Sequence, residues 1–298
     1  MFADAAHVTR FAPSPTGYLH LGHAYAARFA FEAARLSGGR FLLRLEDLDP
    51  GRCRPEFAAA ILEDLRWLGL FWDGSVVRQS QRSALYRRAL ARLRALGVLY
   101  PCFCTRERVR EEIARMGEAP HGPAGELLYP GTCRDLPEAE RRARIARGEP
   151  HAWRLDVARA GERTGPLAWY DVRAGWVEAR PELLGDVVLA RKDAPASYHL
   201  AVVVDDAAQG VTLVTRGEDL FHATHVHRLL QALLGLPVPI WYHHNLVGDA
   251  QGRRMAKRNG ALSLRHLRAR GIAPEAIWRM LGLGAASPEI RCPGASPS

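Results

Sequence analysis

Lysine is almost missing from this sequence. Of its 41 basic residues only Lys192 and Lys257 are lysines, so arginine serves nearly everywhere a cation is needed. A lysine is a compact charge on a flexible stem, suited to transient contact with a moving anion, whereas arginine offers a rigid planar fork. Long apolar runs are missing too. No stretch of about 18 apolar residues offers a membrane span, and the N-terminus lacks the apolar segment of a secretory leader. A cytoplasmic location is therefore expected, with no membrane partner. Cysteine is sparse and uneven: Cys53, Cys102, Cys104, Cys133 and Cys292. Clustered cysteines in such a chain point to a metal or to catalysis rather than to disulfides. Acidic residues thin out toward the C-terminus. From residue 251 onward nine basic residues face only Glu275 and Glu289, and the whole chain carries a formal charge of +9. A one-sided basic surface attracts polyphosphate, with RNA the obvious candidate. A coding bias toward arginine explains the overall charge equally well, but not its clustering.

What is present reads as an α/β chain. The 298 residues, 48% hydrophobic, suffice for one or two domains. His7–Phe11 predicts a strand, and Gly22–Leu36 an alanine-rich helix closed by Gly38-Gly39. Arg40–Leu45 predicts a second strand with Glu46-Asp-Leu-Asp49 at its carboxyl end. Helices follow over Arg54–Leu68 and Ser83–Leu96. This opening implies a doubly wound parallel sheet with ligands at the carboxyl ends of its strands. Residues 101 to about 180 hold the cysteine cluster, a Gly/Pro-rich loop (Gly117–Gly125) and a basic helix near Glu138–Arg147. Strand-and-helix alternation resumes at Pro195, through Tyr198–Asp205, Val211–Arg216 and Phe221–Leu234. The four expected segments are thus 1–100, the first half of a nucleotide-binding core; 101–185, an insertion; 186–247, the second half; and 248–298, a helical, basic segment with a flexible tail from Ser287.

The motif His20-Leu-Gly22-His23 follows Pro13-Ser-Pro-Thr-Gly17. A strand, a turn and a helix place backbone N–H groups and the positive helix end beside a bound phosphate. Two imidazoles there can donate to phosphate oxygens as charge builds in a transition state. Gly22 lacks a Cβ, so adenine or ribose can approach the backbone. Near the other end stands Arg254-Met-Ala256-Lys257-Arg258, a basic turn.

Five blocks taken in order carry a resemblance: Arg10–His23, Arg44-Leu-Glu-Asp-Leu-Asp49, Arg78-Gln-Ser-Gln81, Thr215-Arg-Gly-Glu-Asp219 and Arg254–Arg258. Together they resemble the catalytic core of glutamyl-tRNA synthetases, class I aminoacyl-tRNA synthetases, from about Thr9 to Gly271. With only 41 residues after Lys257 and no anticodon-binding domain expected, the chain is more similar to the short paralogous family of glutamyl-queuosine tRNA(Asp) synthetases. That resemblance implies a Rossmann-type core with a zinc-bearing insertion of acceptor-binding type. It implies activation of L-glutamate with ATP and Mg²⁺, then transfer to the queuosine base at the wobble position of tRNA(Asp), by a protein expected to be monomeric. A minimal glutamyl-tRNA synthetase that charges the tRNA 3′ end is the first alternative. A non-enzymatic, RNA-binding or amino-acid-sensing remnant is the second.

Residue roles follow from the resemblance. His20, His23 and Lys257 are the expected catalytic residues, and these three with Gly22 the expected ATP site. Family members carry a second lysine and a serine in the basic turn, where this sequence has Arg254 and Ala256. The charges survive and one hydroxyl contact is lost, a change that leaves room for slower activation but is not expected to abolish it. The glutamate site is expected at Arg10, Ala12, Ser14, Glu46, Tyr198 and Arg216. Arg10 and Arg216 suit bidentate contacts to carboxylates, Glu46 an ammonium, and Ser14 and Tyr198 offer hydroxyls. A neutral amide in place of the substrate's second carboxylate would leave a buried arginine unbalanced, favouring glutamate over glutamine. Cys102, Cys104, Cys133 and Tyr129 are the implied zinc ligands, three thiolates suiting Zn²⁺ by softness, with His121 a competing fourth. Cys53 and Cys292 are expected to be bystanders, and the His243-His244 pair structural. Asp205-Asp206 is expected to shape the sheet's end or a solvated turn.

Overall fold

The computed structural model describes residues 5–105, 107–109, 111, 123, 125, 128–247 and 263–283. In chain order the elements are β1 (Val8–Phe11), α1 (Leu21–Leu36), β2 (Arg40–Leu45), α2 (Pro55–Trp67), β3 (Val77–Arg78), α3 (Ser83–Ala95), β4 (Leu99–Cys102), α4 (Glu138–Ala146), β5 (Ala152–Leu155), α5 (Val157–Thr164), β6 (Ala168–Asp171), β7 (Gly175–Glu178), β8 (Val188–Ala190), α6 (Tyr198–Ala208), β9 (Leu213–Gly217), α7 (Ala223–Leu234), β10 (Ile240–His244), α8 (Leu264–Ala269) and α9 (Pro274–Met280).

Local chemistry explains the ends. His20 caps α1, its ring accepting from the Gly22 N–H, and Pro55 opens α2 where a missing donor costs nothing. The turn from α1 into β2 requires a residue without a Cβ at position 39: a Cβ there would lie 1.9 Å from the His7 carbonyl oxygen, which accepts the Arg40 N–H.

Two parallel sheets meet edge to edge. One runs β1-β2-β3; in the other β9, β10 and β6 are parallel, and β7 adds an antiparallel edge. Thr212, immediately before β9, donates its N–H to the Val8 carbonyl at 3.0 Å and accepts the Val8 N–H on its hydroxyl at 2.9 Å. The strand order therefore runs outward from a β1/β9 seam, through β2 to β3 on one side and through β10 to β6 on the other. This is the doubly wound arrangement, and its crevice lies where the order reverses. The β6–β7 hairpin, within residues 101–185, thus belongs to the sheet that contains β10. A third, antiparallel sheet, β4-β5-β8, stands apart.

Three of the apolar clusters among the described residues show how these layers are held. One joins α3, α5, α6 and α7 through residues such as Tyr86, Leu93, Leu200, Val203 and Leu230. Another packs α1 and α2 on β1 and β2, and closes over Leu264, Leu267 and Ile277 of α8 and α9. A Leu side chain fully buried in such a cluster contributes ~1.5–3 kcal/mol. The third, around Trp169, Val214 and Trp241, buries the second parallel sheet.

Candidate active site

The carboxyl ends of β1, β2 and β9 face α6 across the crevice. Arg10 and Arg44 rise from β1 and β2, and both are buried. Asp206 of α6 answers both. Its Oδ1 accepts from Arg10 Nε at 3.0 Å and from Arg44 Nη1 at 2.7 Å. Asp205, one residue earlier, accepts from Gln79 Nε2 at 2.9 Å, Arg82 Nε at 2.6 Å and the Tyr86 hydroxyl at 2.7 Å. The expectation that this pair shapes a sheet end or a solvated turn is corrected here. Both carboxylates are buried inside a helix and hold the strands of the crevice from across it. Despite burial, the two guanidiniums keep the Asp206 carboxyl below its ordinary range. A signal was available: two aspartates within the apolar run Leu200-Ala-Val-Val-Val-Asp-Asp cannot both face water on a buried helix, so they need cationic partners.

Arg10 Nη1 also donates to the Thr215 carbonyl at 3.1 Å, so this arginine is partly committed to the scaffold. Glu46, just past β2, accepts from Arg44 Nη2 at 3.3 Å. Burial raises its carboxyl above the ordinary value, with Arg44 and Arg10 opposing the shift. Ala12 and Ser14 sit in the loop after β1, where the Pro13 carbonyl accepts the Glu46 N–H at 3.0 Å. The structure thus brings Arg10, Glu46 and their loop together at one strand end.

Arg216, on β9, is a different case. Its Nε donates to His243 Nε2 at 3.0 Å, one Nη to the Tyr198 hydroxyl at 3.1 Å, the other to Thr224 Oγ1 at 2.5 Å. His227 Nδ1 lies 3.3 Å from Nη1. Among the described residues every one of these partners is neutral. The imidazoles are uncharged because burial drives His243 down to about 4 and His227 well below its ordinary value. Arg216 is buried with no carboxylate bonded to it among the described residues; burial lowers its pKa, and the Asp206 charge opposes that shift without touching it. An arrangement of this kind attracts a carboxylate. Sequence reasoning placed Arg216 and Tyr198 here and missed Thr224 and Asp171; His243 it took as structural.

At the start of α1, His20 and His23 face each other with ring centroids 3.8 Å apart. His20 Nδ1 accepts the Gly22 N–H at 3.2 Å, and His23 Nδ1 accepts the His20 N–H at 3.1 Å. Each neutral ring then carries its proton on Nε2, the tautomer able to donate to an anion. A Cβ at position 22 would come within 3.1 Å of the His20 ring, so the glycine also keeps that ring in place. The C-terminal segment touches this corner: Leu264 N donates to the Leu19 carbonyl at 2.8 Å. Lys257, Arg254, Ala256, His121 and Cys292 lie outside the described residues.

The sulfurs of Cys102, Cys104 and Cys133 lie within 4.8 Å of one another. Cys104 and Cys133 are 3.4 Å apart, and the Tyr129 hydroxyl is 3.5 Å from Cys102 and 3.6 Å from Cys104. Tetrahedral Zn–S bonds of about 2.3 Å demand sulfurs about 3.8 Å apart, so the donor set fits such an ion. Hydrogen bonding from Cys102 and Tyr129 holds the Cys133 thiol below its ordinary value, against burial. Cys53 is a free thiol elsewhere. Cys102 and Cys104 also line a cleft of about 1000 Å³, together with Asp49, Arg52, Arg154, Arg191 and Lys192.

A buried arginine pair clamped by aspartates, a histidine pair at a helix start and a cysteine cluster beside a doubly wound sheet have clear relatives. The family model for class I tRNA synthetases (E and Q), catalytic domain, matches residues 7–291; the chain belongs to this family, whose members use ATP. Among individual proteins, it is 52% identical over 282 residues to a glutamyl-Q tRNA(Asp) synthetase of Rhodobacter capsulatus, covering 93% of this chain and all of that one. A protein of the same name from Nocardia farcinica is 47% identical, over 91% of this chain and 82% of that one. A glutamate–tRNA ligase 2 of Methylobacterium is 43% identical over 96% of this chain and 62% of that one. The crystal structure of a glutamate tRNA ligase from Elizabethkingia meningosepticum, in complex with its amino acid, superposes with a TM-score of 0.73 at 28% identity. The match covers 86% of this chain, which spans 53% of that longer one. No described helix is long and apolar enough to cross a membrane.

Proposed function

We propose that this protein activates L-glutamate with ATP and transfers it to the queuosine base at the wobble position of tRNA(Asp). The observation that carries the glutamate assignment is Arg216, buried among neutral partners, which calls for a carboxylate where the substrate's side chain would lie. The choice of acceptor rests on the identity to the Rhodobacter and Nocardia relatives.

In this reading Arg216 and the Tyr198 hydroxyl bind one carboxylate of glutamate, and the remaining guanidinium face of Arg10, near Ala12 and Ser14, approaches the other. Glu46, already buried beside Arg44, takes the α-ammonium, whose charge restores its ionised form. One carboxylate oxygen attacks the α-phosphorus of ATP in line, forming glutamyl-adenylate and releasing pyrophosphate. His20 and His23 donate from Nε2 to phosphate oxygens at the positive end of α1, with Gly22 admitting the nucleoside, and Lys257 neutralises the departing pyrophosphate. Mg²⁺ accompanies the nucleotide. The work of the protein is positioning and charge stabilisation. Cys102, Cys104, Cys133 and Tyr129 would hold a structural Zn²⁺ that ties β4 to the segment bearing Tyr129. The cations of the adjoining cleft, Arg52, Arg154, Arg191 and Lys192, suit an RNA backbone.

Incubation with ATP, radiolabelled glutamate and tRNA from cells with or without queuosine tests the reading. Label confined to queuosine-bearing tRNA, and retained after removal of the 3′ adenosine, is the expected result. The Methylobacterium relative supports one competing reading, ordinary charging of tRNA(Glu). Label on tRNA(Glu) from both sources, lost with the 3′ adenosine, would establish it instead.

A further inference from the structure

Behind Arg216 lies a buried relay of side chains. Arg216 and His243 are register partners on β9 and β10, so their side chains share a face. His243 Nε2 accepts from Arg216 Nε at 3.0 Å, while its Nδ1 lies 2.7 Å from Asp171 Oδ2. Asp171 ends β6 and is itself fixed. Its Oδ1 accepts the N–H groups of Arg173 and Ala174, both at 2.9 Å, and its Oδ2 accepts the His243 N–H at 3.1 Å. Thr224 Oγ1 closes the arrangement, 3.2 Å from His243 Nε2.

We infer that Asp171 and His243 are positioning residues for Arg216, setting the orientation of its guanidinium and through it the preference for a substrate carboxylate. The inference rests on the glutamate-activating function proposed above. Its logic is tautomeric. A carboxylate bearing no proton can only accept, so His243 must hold its proton on Nδ1. Nε2 is thereby left as a lone-pair acceptor, the only form compatible with the Arg216 Nε–H. Because His243 and two backbone amides outweigh burial and hold Asp171 below its ordinary value, and burial keeps His243 neutral, the relay has one proton arrangement at neutral pH. Locking Nε turns the Nη edge of the fork toward the crevice. It does so without a counter-ion that would compete with the substrate, because the Asp171 charge is held off by the imidazole. An aspartate placed directly on Arg216, as Asp206 is placed on Arg10, would neutralise the site.

Asp171→Asn tests this. The amide oxygen can keep the contacts to Arg173 and Ala174, but its NH₂ then takes the place of Oδ2, giving up the His243 backbone N–H and facing Nδ1, which forces the proton to Nε2, where it opposes the Arg216 Nε–H. In glutamate-dependent pyrophosphate exchange, KM for glutamate should rise about ten-fold or more, with KM for ATP and kcat within about two-fold. The double variant Asp171→Asn with His243→Gln supplies a carbonyl acceptor at the Nε2 position that needs no tautomer lock, and it should recover most of the lost affinity. A general packing role for Asp171 would not be rescued this way. Should Asp171→Asn fail to fold, His243→Gln against His243→Leu asks the same question, and only the leucine variant should lose affinity for glutamate. An unchanged glutamate KM in Asp171→Asn, or equal losses in the glutamine and leucine variants, would overturn the inference. Wild-type protein with no glutamate-dependent exchange would instead overturn the function on which it rests.

Discussion

Two buried arginine settings lie side by side in this crevice, and they are built oppositely. Arg44 meets Asp206 at 2.7 Å and Glu46 at 3.3 Å, and has no exposed side-chain surface. Arg216 meets two hydroxyls and two imidazoles. The first has its charge satisfied inside the protein and serves as a fixed strut between β2 and α6. The second has a hydrogen-bond partner on each of its three nitrogens but, among the described residues, no carboxylate bonded to it, so it is ordered in advance and still in need of an anion. Hydrogen-bond saturation and charge neutralisation are separate quantities, and here their separation divides scaffold from binding site.

The sharpest way to break this comparison is to replace each arginine by methionine. Arg216→Met should reduce kcat/KM for glutamate in pyrophosphate exchange on the order of 10²–10³-fold, because a buried charged contact is lost, while leaving Tm unchanged or higher. Arg44→Met should do the reverse where stability is concerned, costing ~3–5 kcal/mol by leaving the buried Asp206 and Glu46 with one cation fewer between them, as urea unfolding would read. A large stability loss in the Arg216 variant would erase the distinction. Asp205→Ala removes the acceptor shared by Gln79, Arg82 and Tyr86 and should cost a similar ~3–5 kcal/mol. A cost below about 1 kcal/mol would show that the cluster is ornamental.

Asp64 on α2 sharpens the contrast with a third kind of setting. It is buried, neither carboxylate oxygen has a hydrogen-bond partner, and Arg268 of α8 stands off at 3.8 Å. Burial pushes its pKa up to about 6 from 3.8. The folded state therefore binds this proton more tightly than the unfolded chain. Its contribution to stability falls as pH rises from about 4 to about 6, and the penalty persists above that. Asp64→Asn should accordingly raise stability at pH 7.5 by ~1–3 kcal/mol and have little effect near pH 3.5, which denaturant titrations at the two values would measure. The smallest effect on the crevice is expected from the cysteine cluster. Protein purified without chelators should carry one zinc per chain, and Cys104→Ser should lower that occupancy while leaving glutamate-dependent exchange within about three-fold.

Much of the fold could be read ahead. β1, α1 and β2 fall within a residue or two of expectation because alternation, helical period and the Gly38-Gly39 stop all agree there. Arg216 and Tyr198 could be placed together only through the family resemblance, since 18 residues of sequence say nothing about a helix folding back on a strand. Their supports were less legible. Asp171 and His243 sit on different strands and meet only once β6 and β10 pair, and no local pattern encodes that meeting. The β6–β7 hairpin carries short aromatic strands, Ala-Trp-Tyr-Asp and Gly-Trp-Val-Glu, which the sequence reading leaves unassigned within the insertion. Asp205-Asp206 was misjudged because acidic pairs are ordinarily solvated. The apolar neighbours on both sides were the overlooked sign.

The aspartate clamp also sets an order of events during synthesis. Its contacts span 196 residues from Arg10 to Asp206, 162 from Arg44 to Asp206, and 119 from Tyr86 to Asp205. As the chain leaves the ribosome, the first two strands emerge with Arg10 and Arg44 destined for the interior and only Glu46 nearby to meet them. Burying them early would be costly, so the N-terminal half has reason to stay open and hydrated until α6 arrives. Contacts of such long range slow folding, and these wait on the single helix turn that delivers both carboxylates.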